Sequence, residues 1–425
     1  MSSARPWRLL VANKFWYPKG GAETYLFELL EELPARGYTA IPFGMRHRLN
    51  APRPHDDLFV DEVDYSRREG LLPDLRKAWR ILHSVQAHRN IVALIERTRP
   101  DLAHLHNIYH QISPSILPAL KDAGVPVVMT LHDLKLACPN YTMRTQGEIC
   151  ERCLPHRYHE AVRHRCVRGS RLASALCALE AYWHHHRGTY LRNVDAFVVP
   201  SDFYRRKMVQ AGVAAEKVVW IPSFTHVERY DPAYLGSDYC LYLGRLSAEK
   251  GLLTLVEAMR GLDGGKLVVV GDGPLRTRLE ETVRTSKLAH VDILGPRWGA
   301  ELIELLRGAR FTVIPSEWYE NCPRSCIESF ACGKPVIASR VGGLPEMVVD
   351  GETGLLFEPF SVDDLRNKLA RLFAAEDLVV AMGRRARAKA EREYCVEAHL
   401  RKLLPVYEAV RDGDRPPAAG GGRRG

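Results

Sequence analysis

The chain has 425 residues, a formal net charge of +9, 46% hydrophobic and 26% charged residues, 32 Gly and 26 Pro. At about 100–200 residues per domain this makes two or three domains, each with its own core, and the composition excludes a collagen-like, coiled-coil or wholly disordered chain. No apolar run approaches the roughly 20 residues that cross a bilayer. The apolar stretch before Asn13 and Lys14 is shorter than a signal peptide, which predicts a cytoplasmic protein that begins on a strand.

The charge is lopsided. Residues 1–222 hold 31 Lys+Arg against 22 Asp+Glu, whereas residues 223–425 hold 29 against 29. A positive first half suits an anionic partner there, such as a phosphate-bearing lipid, a membrane face or nucleic acid; a solvated arginine-rich surface has the same composition.

Taken in chain order, Arg8–Ala12 reads as a strand, followed by a Gly-Gly turn and a helix over 22–35. Further short apolar runs lie at 101–105, 125–130 and 195–199, with helical patterns at 75–97, 113–123 and 170–191 between them. The pattern pauses over 223–237 and restarts with strands at 239–243, 266–270, 290–294, 311–314 and 335–338, separated by helices at 249–260, 274–286, 300–307 and 326–332. Helices at 362–373, 379–393 and 396–410 follow. Strands alternating with helices predict parallel sheets covered on both faces, hence two doubly wound α/β domains joined near residue 230. The expected divisions are a first domain over 1–225 with a Cys-rich insert at about 138–170, a second over 236–392, a helix over 393–412 and a disordered tail over 413–425.

Ligands of open α/β sheets bind beyond the carboxyl ends of strands, which directs attention to the residues just after each strand. Gly20-Gly21-Ala22-Glu23 opens a helix after the first strand; its amides and bare backbone suit a phosphate, and a plain tight turn needs the same glycines. Arg245 and Lys250 flank a turn after the first strand of the second half. They suit a diphosphate clamp, and the residues leave open a surface pair of Arg245 with Glu249 beside a solvated Lys250. Gly271-Asp272-Gly273-Pro274 is a Gly-rich turn with Pro at the first helical position. In Ser316–Glu328, Glu320 falls on a strand-end loop and Glu328 one to two turns into the next helix. Carboxylates beside amides and cations suit sugar or ribose hydroxyls or a developing cationic centre, the alternative being a helix cap and a surface residue. His132, in Thr130-Leu131-His132-Asp133, ends a first-half strand and should face the cleft from the opposite wall.

Together these pieces resemble family 4 of the glycosyltransferases, with the two-domain GT-B architecture in which two Rossmann-like sheets face a central cleft. The continuation Gly333-Lys334-Pro335, Gly342-Gly343-Leu344-Pro345-Glu346 and Gly351-Glu352-Thr353-Gly354 is also similar, and the match runs in order from residue 8 to about 400. The resemblance implies a retaining transfer of a sugar from a nucleoside diphosphate sugar to an acceptor hydroxyl, without a catalytic metal, in surface polysaccharide, lipopolysaccharide or glycolipid assembly. By the same resemblance Arg245 and Lys250 hold the diphosphate, Glu328 the ribose, and Glu320 with Asn321, Cys322, Pro323 and Ser325 faces the transferred sugar. Gly20, Gly21 and Gly273 let backbone approach the donor, His132 lies near the anomeric centre, and the last helix crosses back onto the first domain. Cys322, Cys326 and Cys332 fill positions that commonly carry small or apolar residues, and Arg324 and Ser325 are less usual at theirs.

Four of the 10 Cys fall together: Cys138, Cys150, Cys153 and Cys166, with 11, 2 and 12 residues between them. This spacing in a reducing compartment predicts a structural zinc site. His156, His159 and His164 are alternative ligands, and free packing thiols the alternative reading. The insert should rim the acceptor side; residues 141–210 hold 12 Lys+Arg against 6 Asp+Glu, which suits a lipid-linked or saccharide acceptor met at the inner membrane face. Two other classes share some of these features. A sugar-nucleotide epimerase or phosphorylase uses the same two-domain architecture. A zinc-containing nucleic-acid-binding protein explains the basic half, but it does not explain two phosphate-type loops on one cleft, and aromatic-basic interleaving is absent, so no nucleic-acid partner is expected.

Overall fold

The computed structural model describes residues 5–65, 70–262 and 264–417, with the backbone alone for 71–75; the end of the expected tail, beyond 417, lies outside the described residues. Two six-stranded sheets, parallel throughout, form two α/β lobes. The first lobe contains β1 (Trp7–Ala12), β2 (Tyr38–Phe43), β3 (Leu102–Leu105), β4 (Val127–Thr130), a separate antiparallel hairpin of β5 (Arg144–Thr145) and β6 (Glu148–Ile149), then β7 (Ala196–Val199) and β8 (Val218–Trp220). Its strand order is β2-β1-β3-β4-β7-β8. The second lobe contains β9 (Tyr239–Leu243), β10 (Lys266–Val270), β11 (Val291–Gly295), β12 (Phe311–Ile314), β13 (Val336–Ser339) and β14 (Gly354–Phe357), ordered β11-β10-β9-β12-β13-β14.

The central strands are buried on both faces, which their continuous apolar sequences require. Strand order reverses at β1/β3 in the first sheet and at β9/β12 in the second, so each sheet has a crevice at that switch point. The loops after β1, β9 and β12 are those that carry the glycines, cations and Glu320.

The alternation of strands and helices is that expected, with instructive differences. The helix expected over 75–97 is two, Leu71–Leu82 and Val85–Thr98, because Ser84 leaves helical geometry and its Oγ accepts the Ala87 N–H at 3.2 Å. The helix expected over 170–191 is likewise divided into Arg171–His186 and Thr189–Asn193 at the left-handed Gly188. Strands β2, β8 and β14 go beyond the pattern: β2 is an edge strand containing Pro42, which only an edge tolerates, and β8 is three residues long.

The last helix, Val396–Arg411, leaves the second lobe and packs on the first. Leu400, Leu403, Val406 and Tyr407 share one core with Leu9, Val11, Val128 and Val198. Its Tyr407 hydroxyl bonds His104 Nδ1 at 2.6 Å, and its His399 bonds the Tyr25 hydroxyl at 3.0 Å and the Pro222 carbonyl at 2.7 Å. Among the described residues no helix is long and apolar enough to cross a membrane.

Candidate active site

A cleft of about 970 Å³ separates the lobes. On the second-lobe side, the loop after β9 presents Arg245 and Lys250. Arg245 bonds Ser247 Oγ at 3.2 Å and pairs with Glu249, as the surface reading anticipated. Lys250 is not solvated in that way: its Nζ donates to Glu320 Oε1 at 2.6 Å and lies 5.0 Å from the Trp318 ring centre. Ser316 Oγ donates to the same carboxylate oxygen at 2.6 Å. Glu320 is 5% exposed. Burial alone pushes its carboxyl up, but the adjacent Lys250 charge and these hydrogen bonds outweigh burial and hold it below its ordinary value, so it is ionised.

Glycines let these loops meet. Gly251 has a left-handed backbone (φ 67°), and a Cβ there would fall 1.8 Å from the Pro315 carbonyl oxygen. A Cβ at Gly343 would fall 2.0 Å from the Asn321 carbonyl oxygen, where the Gly343 N–H instead donates to Glu320 O at 2.7 Å. The Glu320–Asn321 backbone is thereby fixed from behind. The helix Arg324–Ala331 opens toward the cleft with no side-chain cap on its first turn, leaving a positive dipole end there.

Glu328, its side chain 12% exposed, lies on this helix within an ion-pair network that spans both lobes. Its Oε1 accepts from Arg324 Nε at 2.8 Å and from the Tyr230 hydroxyl at 3.3 Å. Arg324 grips Glu28, on the first-lobe helix Gly21–Glu32, with both Nη atoms, one at 2.7 Å, and bonds Thr225 Oγ1 at 2.9 Å. Burial dominates at Glu328 and raises its carboxyl above the usual range despite Arg324.

On the first-lobe side, Gly20 and Gly21 begin the helix Gly21–Glu32 with no side-chain cap and no neighbour closer than 3.7 Å to a Cβ, so the turn offers open space and bare amides to the cleft. His132 is half-buried beside them at the cleft wall, sharing a hydrogen bond of 3.1 Å with His106 Nδ1. Burial, then the Lys14 charge, lowers it to about 4, so it is neutral at pH 7. Neutral His104 and His399, lowered mainly by burial to about 3 and about 4, continue this polar layer.

The structure thus brings Gly20, Gly21, His132, Arg245, Lys250, Glu320, Asn321, Cys322, Pro323, Ser325 and Glu328 to one cleft. Gly273 does not line it; it stands behind Leu246, whose carbonyl oxygen would lie 2.4 Å from a Cβ. Cys326 and Cys332 are packed in the second-lobe core. Cys138, Cys150, Cys153 and Cys166 are free thiols in the insert, away from the cleft lining. Sequence reasoning did not assign Glu28, Tyr230, Trp318 or the role of Arg324. Only Arg324, unusual at its position, carried a signal.

The lobes are fastened around this cleft. Asn321 Nδ2 donates to the Leu131 carbonyl at 3.3 Å and its Oδ1 accepts from Ser201 Oγ at 2.9 Å. Glu346 reaches across to cap the helix Asp202–Gln210, accepting the Asp202 and Phe203 N–H groups at 2.7 and 2.6 Å.

Two doubly wound lobes facing one cleft, with a cation-carboxylate floor at a switch point, define the GT-B class. Residues 19–229 match the family model described as Glycosyltransferase Family 4, and residues 231–389 the one described as Glycosyl transferases group 1. The chain belongs to the family 4 glycosyltransferases and is a glycosyltransferase. It is 29% identical over 411 residues to alpha-maltose-1-phosphate synthase of Mycolicibacterium smegmatis, covering 92% of this chain and 96% of that one. It is 33% identical over 175 residues to an uncharacterized glycosyltransferase of Methanocaldococcus jannaschii, covering 41% of this chain and about half (49%) of that one. Similar solved structures are sucrose-phosphate synthase from Thermosynechococcus elongatus (TM-score 0.72, 22% identity, 96% of this chain and 100% of that) and Anabaena HepE in complex with UDP and glucose (TM-score 0.65, 19% identity, 94% and 99%).

Proposed function

We propose that the protein transfers a sugar, with retention, from a nucleoside diphosphate sugar to an acceptor hydroxyl in polysaccharide, lipopolysaccharide or glycolipid assembly at the cell surface. The observation that carries this reading is the Lys250–Glu320 pair at 2.6 Å on the cleft floor, beside Arg245 and below an uncapped helix start. A departing diphosphate gains negative charge, which Lys250, Arg245 and helix dipoles stabilise; the anomeric carbon becomes cation-like, which the ionised Glu320 and backbone carbonyls stabilise. Neutral His132 is suited to hydrogen-bond sugar hydroxyls rather than to repel that cation. Closure of the lobes excludes water and favours transfer over hydrolysis. HepE has been solved with UDP-glucose, which supports a nucleotide-sugar donor here. None of these steps uses a metal.

A thermal-shift panel of nucleoside diphosphate sugars tests the donor. A donor at about 100 times its Kd stabilises the fold by about 2.7 kcal/mol, and a melting point unmoved by every member of the panel would sink the proposal. Product analysis with and without acceptor separates transfer from epimerisation or phosphorolysis, and the anomeric configuration of the product tests retention.

The acceptor is proposed to be lipid-linked or a saccharide at the inner membrane face, met by the basic first lobe. Arg163, Arg165 and Arg168 are all exposed on the insert. Replacing the three with Ala should weaken sedimentation with anionic vesicles, more so at low salt; equal sedimentation of variant and parent would remove the membrane contact.

A further inference from the structure

His132 is held from behind by a side chain that the transfer chemistry has not used. Strands β3 and β4 are parallel neighbours, with Ala103 beside Val127 and Leu105 beside Met129. Side chains two apart along a strand share a face. The alternation continues just past both strand ends, so His104 and His106, their rings 4.2 Å apart, run alongside Thr130 and His132. His104 Nε2 and Thr130 Oγ1 meet at 2.7 Å, and His106 Nδ1 and His132 Nε2 at 3.1 Å. Tyr407 of the last helix closes the far end of this row at His104 Nδ1. The His106 and His132 rings are 25° from parallel with centres 5.3 Å apart, and the Tyr25 ring packs at a steep angle against both. His106 is 1% exposed and lies behind the residues that line the cleft.

The contact fixes where a proton sits. Burial holds His106 well below its ordinary value, so both rings are neutral at pH 7 and each carries a single N–H. Only one of the two facing nitrogens can be the donor. His106 Nε2 is buried and has no partner. A His106 proton on that nitrogen would be a donor sealed away from every acceptor, a rarer state in folded proteins than an unpaired acceptor. The proton therefore lies on His106 Nδ1 and is given to His132 Nε2. His132 must then carry its own proton on Nδ1, since the bond at one ring nitrogen sets the state of the other. Among the described residues nothing bonds that Nδ1, which is left for the cleft that His132 lines.

We propose that His106 is a positioning residue that locks His132 in the Nδ1–H tautomer, so that His132 gives a hydrogen bond to an oxygen of the donor sugar and takes no proton from the acceptor hydroxyl. This rests on the transfer reading above and gives its first-lobe wall a definite polarity. A carboxylate behind a histidine accepts its N–H and leaves the opposite nitrogen bare, ready to remove a proton. Here a neutral donor, His106 Nδ1, stands in that place, and the polarity is reversed. The ring is also held in orientation, because Tyr25 packs beside the pair and His106 is itself anchored by its backbone N–H, which donates to the Ala12 carbonyl at 2.9 Å.

The test reads the proton itself. In the full chain carrying isotope-labelled histidine, with His132 assigned by its loss in His132→Gln, two-bond proton–nitrogen correlations at pH 7 are expected to show a protonated Nδ1 and a bare Nε2. A protonated Nε2 in the parent overturns the proposal, and this spectrum decides even where a variant does not fold. His106→Asn keeps a donor amide near the Nδ1 position and should preserve both the pattern and, within about threefold, kcat/KM. His106→Asp offers only an acceptor. It should draw the His132 proton to Nε2 and lower kcat/KM about tenfold, the worth of one hydrogen bond. Parent-like activity in a folded His106→Asp chain whose His132 proton has moved overturns the positioning role. Nucleoside diphosphates without a sugar keep the two readings apart. They should raise the melting points of the parent and the His106 variants equally, and their failure to stabilise the parent removes the transfer reading while the tautomer stands or falls on its spectrum.

Discussion

Lys250→Ala should lower kcat/KM by about 10²–10³-fold, the scale on which removal of one electrostatic stabiliser of a leaving group acts. The physical reason is twofold. The variant loses the cation nearest the expected diphosphate, and it leaves Glu320 buried without its counter-charge. Glu320 is held below its ordinary value because Lys250, helped by the hydrogen bonds of Ser316 and Trp318, outweighs burial; with Lys250 gone the largest opposing cause is lost, and the carboxyl is expected to rise. Its stabilising contribution in the parent is present above the unfolded carboxyl pKa and is lost as pH falls through the lower folded value. In the variant the sign inverts: the buried charge destabilises at neutral pH, by about 3 kcal/mol, and acidification relieves it. Lys250→Ala/Glu320→Gln should therefore regain part of the stability and none of the activity. Full transfer by a folded Lys250→Ala variant would falsify the diphosphate clamp.

The second large effect is expected at Arg324. Arg324→Leu strands two carboxylates, Glu28 and Glu328, that the guanidinium now joins across the lobes. Removing one partner of a buried ion pair costs about 3–5 kcal/mol, and urea melts should show a loss of that order at pH 8. Glu328 already stands above its ordinary value through burial; without Arg324 it climbs further, so the loss should shrink at pH 6 as the carboxyl takes up a proton. Nucleotide affinity should fall in parallel, because Glu328 then lacks the orientation that Arg324 and Tyr230 impose on Oε1. Arg324→Lys should recover little, since a single ammonium cannot make the two-pronged grip on Glu28. A denaturation midpoint and nucleotide affinity both equal to the parent's would show that the pair contributes nothing.

The two lobes and the strand-end loops were legible because parallel strands buried on both faces write continuous apolar runs, and because ligand loops must follow them. Lys250 and Glu320 could be named for that reason, although their direct contact could not: 70 residues separate them, and only the adjacency of β9 and β12 closes the gap. Glu28 was invisible for a similar reason. It occupies one turn of an amphipathic helix and gains its meaning from Arg324, 296 residues away. The hairpin in the insert was missed because two-residue strands carry no periodicity. The edge strand β2 was missed because Pro42 masks it.

The polypeptide passes between the lobes twice, once after Phe224 and once after Tyr394, and the two passages touch. The Thr225 N–H donates to the Tyr394 carbonyl at 3.0 Å, and the Phe224 and His399 rings lie 4.6 Å apart. The molecule is thus hinged where the two passages meet. An opening of the cleft that kept this joint would still have to break the Asn321–Ser201, Glu346–Asp202 and Arg324–Glu28 ties that also cross between the lobes, so these three contacts set what a swing of the lobes costs.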